Sequence, residues 1–246
     1  MIRPLFLCVA PIVGATAIAQ PSEASDGRWV IDLEAASVTQ RYNSVRVPAD
    51  TGSRIDLAKL IGSGARAAGR ISVGYTTNNQ SFWRLTYAPL TLKGDGRLDS
   101  GVSFGGVDFA PGRVEGSYRF NTYRVTYRKP WTGRWSIGGT VMVRDAKIRL
   151  EQDGTSSSES NIGFVPLVHI HTAGGIGSGW GYEAEVDLIA GGPGRAIDLT
   201  TRLTRRLDAR SHAYFGYRVI EGGADVPDVW NFAWVNFFAA GVAVRF

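Results

Sequence analysis

His169 and His171 stand two residues apart in Val168-His169-Ile170-His171, so an extended backbone puts both imidazoles on one face and the aliphatic side chains on the other. Downstream, Trp180-Gly181-Tyr182-Glu183-Ala184-Glu185-Val186-Asp187-Leu188 alternates as regularly, with Glu183, Glu185 and Asp187 sharing a face. If the chain turns near residue 176, within Gly174-Gly175-Ile176-Gly177, His169 falls opposite Glu183. A carboxylate beside a histidine fixes its tautomer and lets it act as a base, which makes His169 and Glu183 the candidate catalytic pair. The spacing of His169 and His171 also suits two metal ligands, but two imidazoles are an incomplete site, and no metal or cofactor is expected. Because such pairs are more often structural than catalytic, the pair is read first as part of a polar interior.

Other polar motifs carry less chemistry. Glu221-Gly222-Gly223-Ala224-Asp225-Val226-Pro227-Asp228 is acidic and turn-rich but lacks the ligand spacing of a calcium loop, and reads as a polar turn. Gly191-Gly192-Pro193-Gly194 is a tight turn, since no lysine or helix follows it as in a phosphate loop. The formal charge of +5 does not imply nucleic acid, because the arginines alternate along strands and no loop carries a basic patch interleaved with aromatics.

The elements that position these residues are strands. Thirty-one glycines disfavour an all-helical chain, and no apolar run outside the N-terminus is long enough for a membrane helix. Residues 1–19 have the pattern of a secretory signal: Arg3, an apolar stretch from Leu5 to Val13, and Ala17-Ile18-Ala19 before Gln20. Residues 20–246 are then one exported domain. Cys8, the only cysteine, would leave with the signal, so neither disulfides nor a thiolate site is expected.

Period-two alternation predicts about ten strands, with eight or twelve as alternatives, near 28–38, 66–76, 81–91, 116–128, 134–150, 161–172, 180–190, 196–206, 212–221 and 232–246. Bulky apolar side chains line one face and full charges or glycine the other, over the length that crosses a bilayer at a tilt. The expected fold is a closed antiparallel up-and-down transmembrane β-barrel. An even strand number puts both termini at the periplasmic end and makes 39–65 and 92–115 long extracellular loops. Trp29, Trp83, Trp131, Trp135 and Trp180 then fall near the periplasmic boundary, and Trp230 and Trp234 near the extracellular one, as an aromatic girdle requires. In the fifth strand Trp135, Ile137, Val141 and Val143 have one parity and Ala146, Ile148 and Leu150 the other. Either a β-bulge near Arg144-Asp145 restores the face, or the upper half projects beyond the membrane.

A barrel of this size has a narrow lumen. Inward positions carry Arg124, Arg128, Arg144, Arg202 and Arg218 against Asp32, Glu34, Glu183, Glu185, Asp187 and Asp198, with His169 and His171 among them. The expectation is a charge network that fills the interior and is structural first.

The terminal run Ala240, Val242, Val244 and Phe246 resembles the sorting signal of Gram-negative outer-membrane barrels. Gly116-Ser117-Tyr118-Arg119-Phe120-Asn121-Thr122-Tyr123-Arg124 and the stretch from Gly216-Tyr217-Arg218 to Asp225 are similar to segments of uncharacterised barrels of that class. The resemblance implies an outer-membrane location, assembly by the barrel-assembly machinery through the C-terminal strand, contact with outer-membrane lipid and lipopolysaccharide, and a monomer. Arg113 and Arg119 are the candidates to meet lipopolysaccharide phosphates. His169 with Glu183 loosely resembles the site of the lipid A 3-O-deacylases, but His171 stands where that family has its serine. The likeness to the omptin proteases is confined to strand number. The expected role is structural, ligand-binding or narrow-pore. The alternatives are an enzyme of envelope lipid using His169 and Glu183, or an adhesin using 39–65 and 92–115.

Overall fold

The computed structural model describes residues 28–192 and 194–246. The signal expected over 1–19, with Cys8, lies outside the described residues, as does Pro193 of the Gly191–Gly194 turn. The elements are β1 (Trp29–Arg46), β2 (Ile55–Asp56), α1 (Leu57–Ile61), β3 (Arg66–Thr76), β4 (Phe82–Ala88), β5 (Thr91–Leu98), β6 (Val102–Phe104), β7 (Val107–Phe109), β8 (Gly112–Thr132), β9 (Trp135–Gln152), β10 (Thr155–Gly177), β11 (Trp180–Gly191), β12 (Gly194–Arg206), β13 (Ser211–Val226) and β14 (Val229–Arg245).

Ten staves form the wall: β1, β3, β4 continued by β5, and β8 to β14, each antiparallel to the next. β14 returns to β1 from Val30↔Arg245 to Arg46↔Trp230 and closes the ring. Closure matters because each unpaired backbone group left in hydrocarbon costs several kcal/mol. The interruption at Pro89-Leu90 is repaired locally: Phe120 N donates to Leu90 O at 2.8 Å, and Leu90 N donates to the Asn121 side chain at 3.2 Å.

The burial pattern is that of a membrane barrel. Leu33, Leu85, Phe164, Phe215 and Phe238 are each more than half exposed on the outer surface, whereas Glu34, Arg124, Asp187, Asp198, Arg202 and Arg218 are buried inside. β8 has 21 residues and β10 has 23, about twice what crosses a bilayer. The wall formed by β8, β9 and β10 therefore projects past the apolar belt. β11 joins β10 only from Val168↔Leu188 downward, so among the described residues the strand segment 155–167 pairs with β9 alone.

The sequence-derived loops contract. β1 runs on to Arg46, β5 to Leu98, and β8 begins at Gly112, so the connections are 47–65 and 99–111. Both fold back over the extracellular mouth. Leu57, Leu60 and Ile61 of α1, with Phe104 and Phe109 of the β6–β7 hairpin, pack against inward Val38, Val45, Leu90, Leu92, Leu98, Val114, Ile148, Leu150, Val235 and Phe237. Five residues are too few for an autonomous helix, so this burial holds α1, helped by the Asp56 carboxylate accepting from Lys59 N at 3.1 Å. β3 stops at Arg66, leaving the upper part of β5 without a strand on that side, and α1 covers the gap. Gly94 and Gly96 permit the approach: a β-carbon on either would overlap the carbonyl of Ile61 or of Leu60.

The fifth stave, β9, has no bulge at Arg144-Asp145; its pairing with β8 is unbroken from Glu115↔Glu151 to Pro130↔Ser136. The second alternative holds. Ile148 and Leu150 point into the apolar plug, and Asp145 and Arg149 point outward beyond the belt.

Candidate functional site

Below the plug, the inward face of every stave from β1 to β13 contributes a polar or ionic side chain, because alternate residues of a strand must face the lumen. Six arginines (Arg70, Arg84, Arg124, Arg128, Arg202, Arg218) meet six carboxylates (Asp32, Glu34, Glu183, Glu185, Asp187, Asp198) in three groups.

In the first group Arg202 is central. Its guanidinium reaches Asp32 and Glu34 at 3.0 Å and Glu183 at 3.2 Å, and stacks on the Tyr214 ring at 4.2 Å. Tyr214 Oη donates to Asp32 at 2.6 Å, Arg70 pairs with Glu34 at 2.7 Å, and His171 Nε2 meets Glu183 at 3.0 Å. In the second group Glu185 takes Arg84 at 2.8 Å and Arg128 at 3.9 Å. The third links Arg218, Asp198, Arg124 and Asp187 through contacts of 2.6, 2.6 and 3.3 Å. There Asp187 Oδ1 also accepts from Thr140 at 2.7 Å and lies 2.8 Å from His169 Nδ1.

These distances correct the sequence expectations in two places. His169 faces Asp187, not Glu183, because the β10–β11 turn lies at Ser178-Gly179, beyond residue 176, and the register sets His169↔Asp187 and His171↔Glu185. Arg144 faces inward but one level above the network; its only side-chain hydrogen bond among the described residues is to Asn161 Oδ1 at 3.1 Å, with no carboxylate partner. Arg70 and Arg84 take part although the sequence reading omitted them. The outward parity of Ile71 with Val73, and of Trp83 with Leu85, was the signal that places both inside.

The pair His169–Asp187 has the hydrogen bond of a base and its orienting acid, yet His169 is 0 % exposed and Nε2 has no protein partner among the described residues. The nearest hydroxyl of the group, on Thr140, donates to the carboxylate and not to the imidazole. Among the described residues no hydroxyl lies within hydrogen-bond reach of that nitrogen. The geometry serves an ionic interior in which each charge loses water and gains an opposite charge, while single nitrogens of Arg84, Arg124 and Arg202 and one oxygen of Glu185 stay without a hydrogen bond among the described residues.

Between ionic tier and plug lies a void of about 10 Å³, walled by Glu34, Arg70, Leu90, Thr122, Arg218 and Phe237, room for about one water. Around it the lumen-facing side chains Glu34, Arg124, Arg202 and Arg218 are buried.

On the outside, the Trp29 ring packs tilted on Tyr75 at 4.7 Å and Trp83 on Tyr127 at 4.8 Å near the end where β1 begins and β14 finishes, and exposed Trp131, Trp135 and Trp180 lie at that end too. Trp230 and Trp234 lie at the opposite end, on β14. Phe246 is outward, and its backbone pairs with that of Trp29. Arg113 and Arg119 sit on the projecting wall, already paired with Asp95 at 2.9 Å and Asp145 at 2.7 Å. A hydrogen-bonded cylinder with an apolar belt, aromatic ends and an ionic interior belongs in a bilayer. The chain has the fold of a Gram-negative outer-membrane β-barrel.

No protein-family model matches the sequence, and no curated protein does. Solved structures that the barrel is similar to include the attachment invasion locus protein Ail of Yersinia pestis in complex with a heparin analogue, with 11 % identity, 89 % of this chain and 99 % of that one covered, and a TM-score of 0.41. The outer-membrane protease OmpT of Escherichia coli gives 8 % identity over 89 % and 96 % of the two chains, with a TM-score of 0.49. The translocator domain of the autotransporter NalP from Neisseria meningitidis gives 12 %, 87 %, 88 % and 0.32. At these identities the likeness concerns fold alone.

Proposed function

We propose that the protein is a sealed outer-membrane barrel with a structural or surface-binding role, and that it neither conducts nor catalyses through its interior. The observation that carries this reading is the doubly filled lumen: a charge-balanced ionic tier below and an apolar plug of α1 and the β6–β7 hairpin above. An ion crossing it would have to break buried pairs and then pass a dry apolar layer, and either barrier is costly. The enzyme reading has less support, since His169 and Glu183 belong to different ionic groups and His169 is sealed from solvent. What the barrel offers to its surroundings is the projecting wall of β8, β9 and β10.

The test is conductance of the purified barrel in planar bilayers. The wild type is expected to give no discrete channel events, while a variant lacking 47–65 and 99–111 loses the plug and gains leak. Steady single-channel opening of the wild type would overturn the proposal.

A further inference from the structure

For much of its length β10 keeps a ladder on one side only. From Thr155 to Leu167 it pairs with β9, whereas β11 and β12 turn back at Gly191 and Gly194 and leave a notch beside it. In an antiparallel ladder every second residue turns its N–H and C=O away from the partner, so about six residues of this stretch present theirs to the notch. Among the described residues, none of the backbone hydrogen bonds outside the ladders involves 155–167. Such an edge is a template for one more strand. The upper part of β5, which also has a strand on one side only, is covered by α1.

Two features of this stretch say what such a strand must carry. On the outer face Ile162 and Phe164 are 71 % and 76 % exposed, more than any other large hydrophobic side chain among the described residues. Ile162 pairs with Asp145, which pairs in turn with Asn121, so it stands in a polar row where the apolar belt has ended. On the inner face, between these two, lies Gly163. A β-carbon there would sit 2.9 Å from Arg144 Nε, so the Arg144 side chain crosses β10 over the glycine, and its Nη2 donates to exposed Asn161 at 3.1 Å. The guanidinium has no carboxylate within ion-pair distance among the described residues. Asp145 is taken by Arg119 and Glu151 by Arg149, both on the outer face, and inward Glu159 makes no ion pair with it. A guanidinium held this way is a fork for a carboxylate.

We infer that the β10 edge takes up an extended polypeptide segment as an added strand, and that this segment carries an acidic residue between two apolar ones. Strand alternation sets the pattern. Residues opposite Ile162 and Phe164 face outward and continue their apolar surface, while the residue between them, opposite Gly163, faces inward and meets Arg144. Main-chain bonds to the edge supply affinity, and the apolar–acidic–apolar triplet supplies register and selectivity. The inference rests on the surface-binding reading above and makes no use of the sealed lumen.

The full barrel, purified in detergent, would be titrated against a dye-labelled peptide with the core Thr-Val-Glu-Val-Thr, and binding followed by fluorescence anisotropy. Saturable binding is expected. Changing the peptide glutamate to glutamine should weaken it about tenfold, as should Arg144→Gln in the barrel, since either removes a charge-assisted contact. Both changes together should cost little more than one, because they break the same contact. Of two peptides N-methylated at alternate residues, the one whose methyl groups face the edge should lose binding and the other keep it. The heat-induced gel shift of Arg144→Gln reports that the barrel is folded. Equal affinity for the glutamate and glutamine peptides, or parent affinity in both methylated peptides, would overturn the inference. So would absence of binding by a wild-type barrel that is silent in planar bilayers, a result that leaves the sealed lumen standing. A conducting barrel that binds with the stated selectivity would do the reverse.

Discussion

Replacing Arg202 by methionine tests the energetic logic of the ionic tier. The side chain is 4 % exposed and holds Asp32, Glu34 and Glu183 at once. After Arg202→Met, Glu34 keeps Arg70 and Glu183 keeps His171, but Asp32 keeps only the Tyr214 hydroxyl. Asp32 is left with no cation, and breaking a buried pair from one side costs about 3–5 kcal/mol. The exposed pair Lys59–Asp99, at 72 % and 78 % exposure, should lose less than about 1 kcal/mol in Lys59→Ala and serves as the control. Urea titration of the barrel in lipid vesicles, with folded fraction read from the mobility of unheated samples, gives both values. Adding Asp32→Asn to Arg202→Met removes the stranded charge and should recover about 1–3 kcal/mol, the desolvation share of the loss. A single-variant loss below about 1 kcal/mol, or a double variant no better than the single, would refute the claim that these charges are desolvated and interdependent.

Other consequences follow from the same geometry. Gly94→Val introduces a β-carbon into the carbonyl of Ile61, so α1 should leave its slot: protease should cut within 47–65 while the unheated mobility of the barrel is kept. Tyr214→Phe deletes the hydroxyl that Asp32 and Glu34 share and should destabilise by about 1.5–3 kcal/mol in the same urea assay, the range for hydrogen bonds to charged groups. In the short turn 207–210, Asp208 accepts from the Arg210 and Ser211 amides at 2.7 and 2.9 Å, and the Arg210 amide chiefly holds its carboxyl below the usual range. Its contribution is therefore complete above an ordinary aspartate value of about 3.9 and fades as pH falls through the lower folded value, so Asp208→Asn should flatten the acid limb of a urea-midpoint profile.

Much of this was legible in the residues. Trp180 to Leu188 and Phe238 to Phe246 alternate so cleanly that both strands and their outward parity follow from them, and the structure keeps that parity. The features misplaced above the apolar belt share one physical cause. Within the bilayer apolar side chains point out, but above it the solvent changes from hydrocarbon to water and the rule inverts. Ile148 and Leu150 are thus inward although Val141 and Val143 on the same strand are outward, and what looks like a slip in phase is the membrane surface crossing β9. Thr39 to Arg46 looked like loop for the same reason: above the belt neither face need be apolar, and Gln40 and Asn43 satisfy each other inside at 2.9 Å. Arg144 has the right parity but the wrong height, and height is invisible to a period-two pattern. The His169 partner depended on a turn shifted by two residues within a glycine-rich stretch, where many turns are sterically allowed.

The uncovered margin of β10, from 155 to 167, bears on how many copies can crowd together. Ladder edges ordinarily invite like to zip onto like. Every copy in one membrane stands the same way up, so two such margins meet running in the same sense and, tilted as barrel staves are, crossing each other. Antiparallel zippering between neighbours is forbidden by the shared upright stance, and Pro166 removes one donor from the rail besides. The bilayer itself thus acts as the safeguard that a soluble sheet must build from charges and bulges.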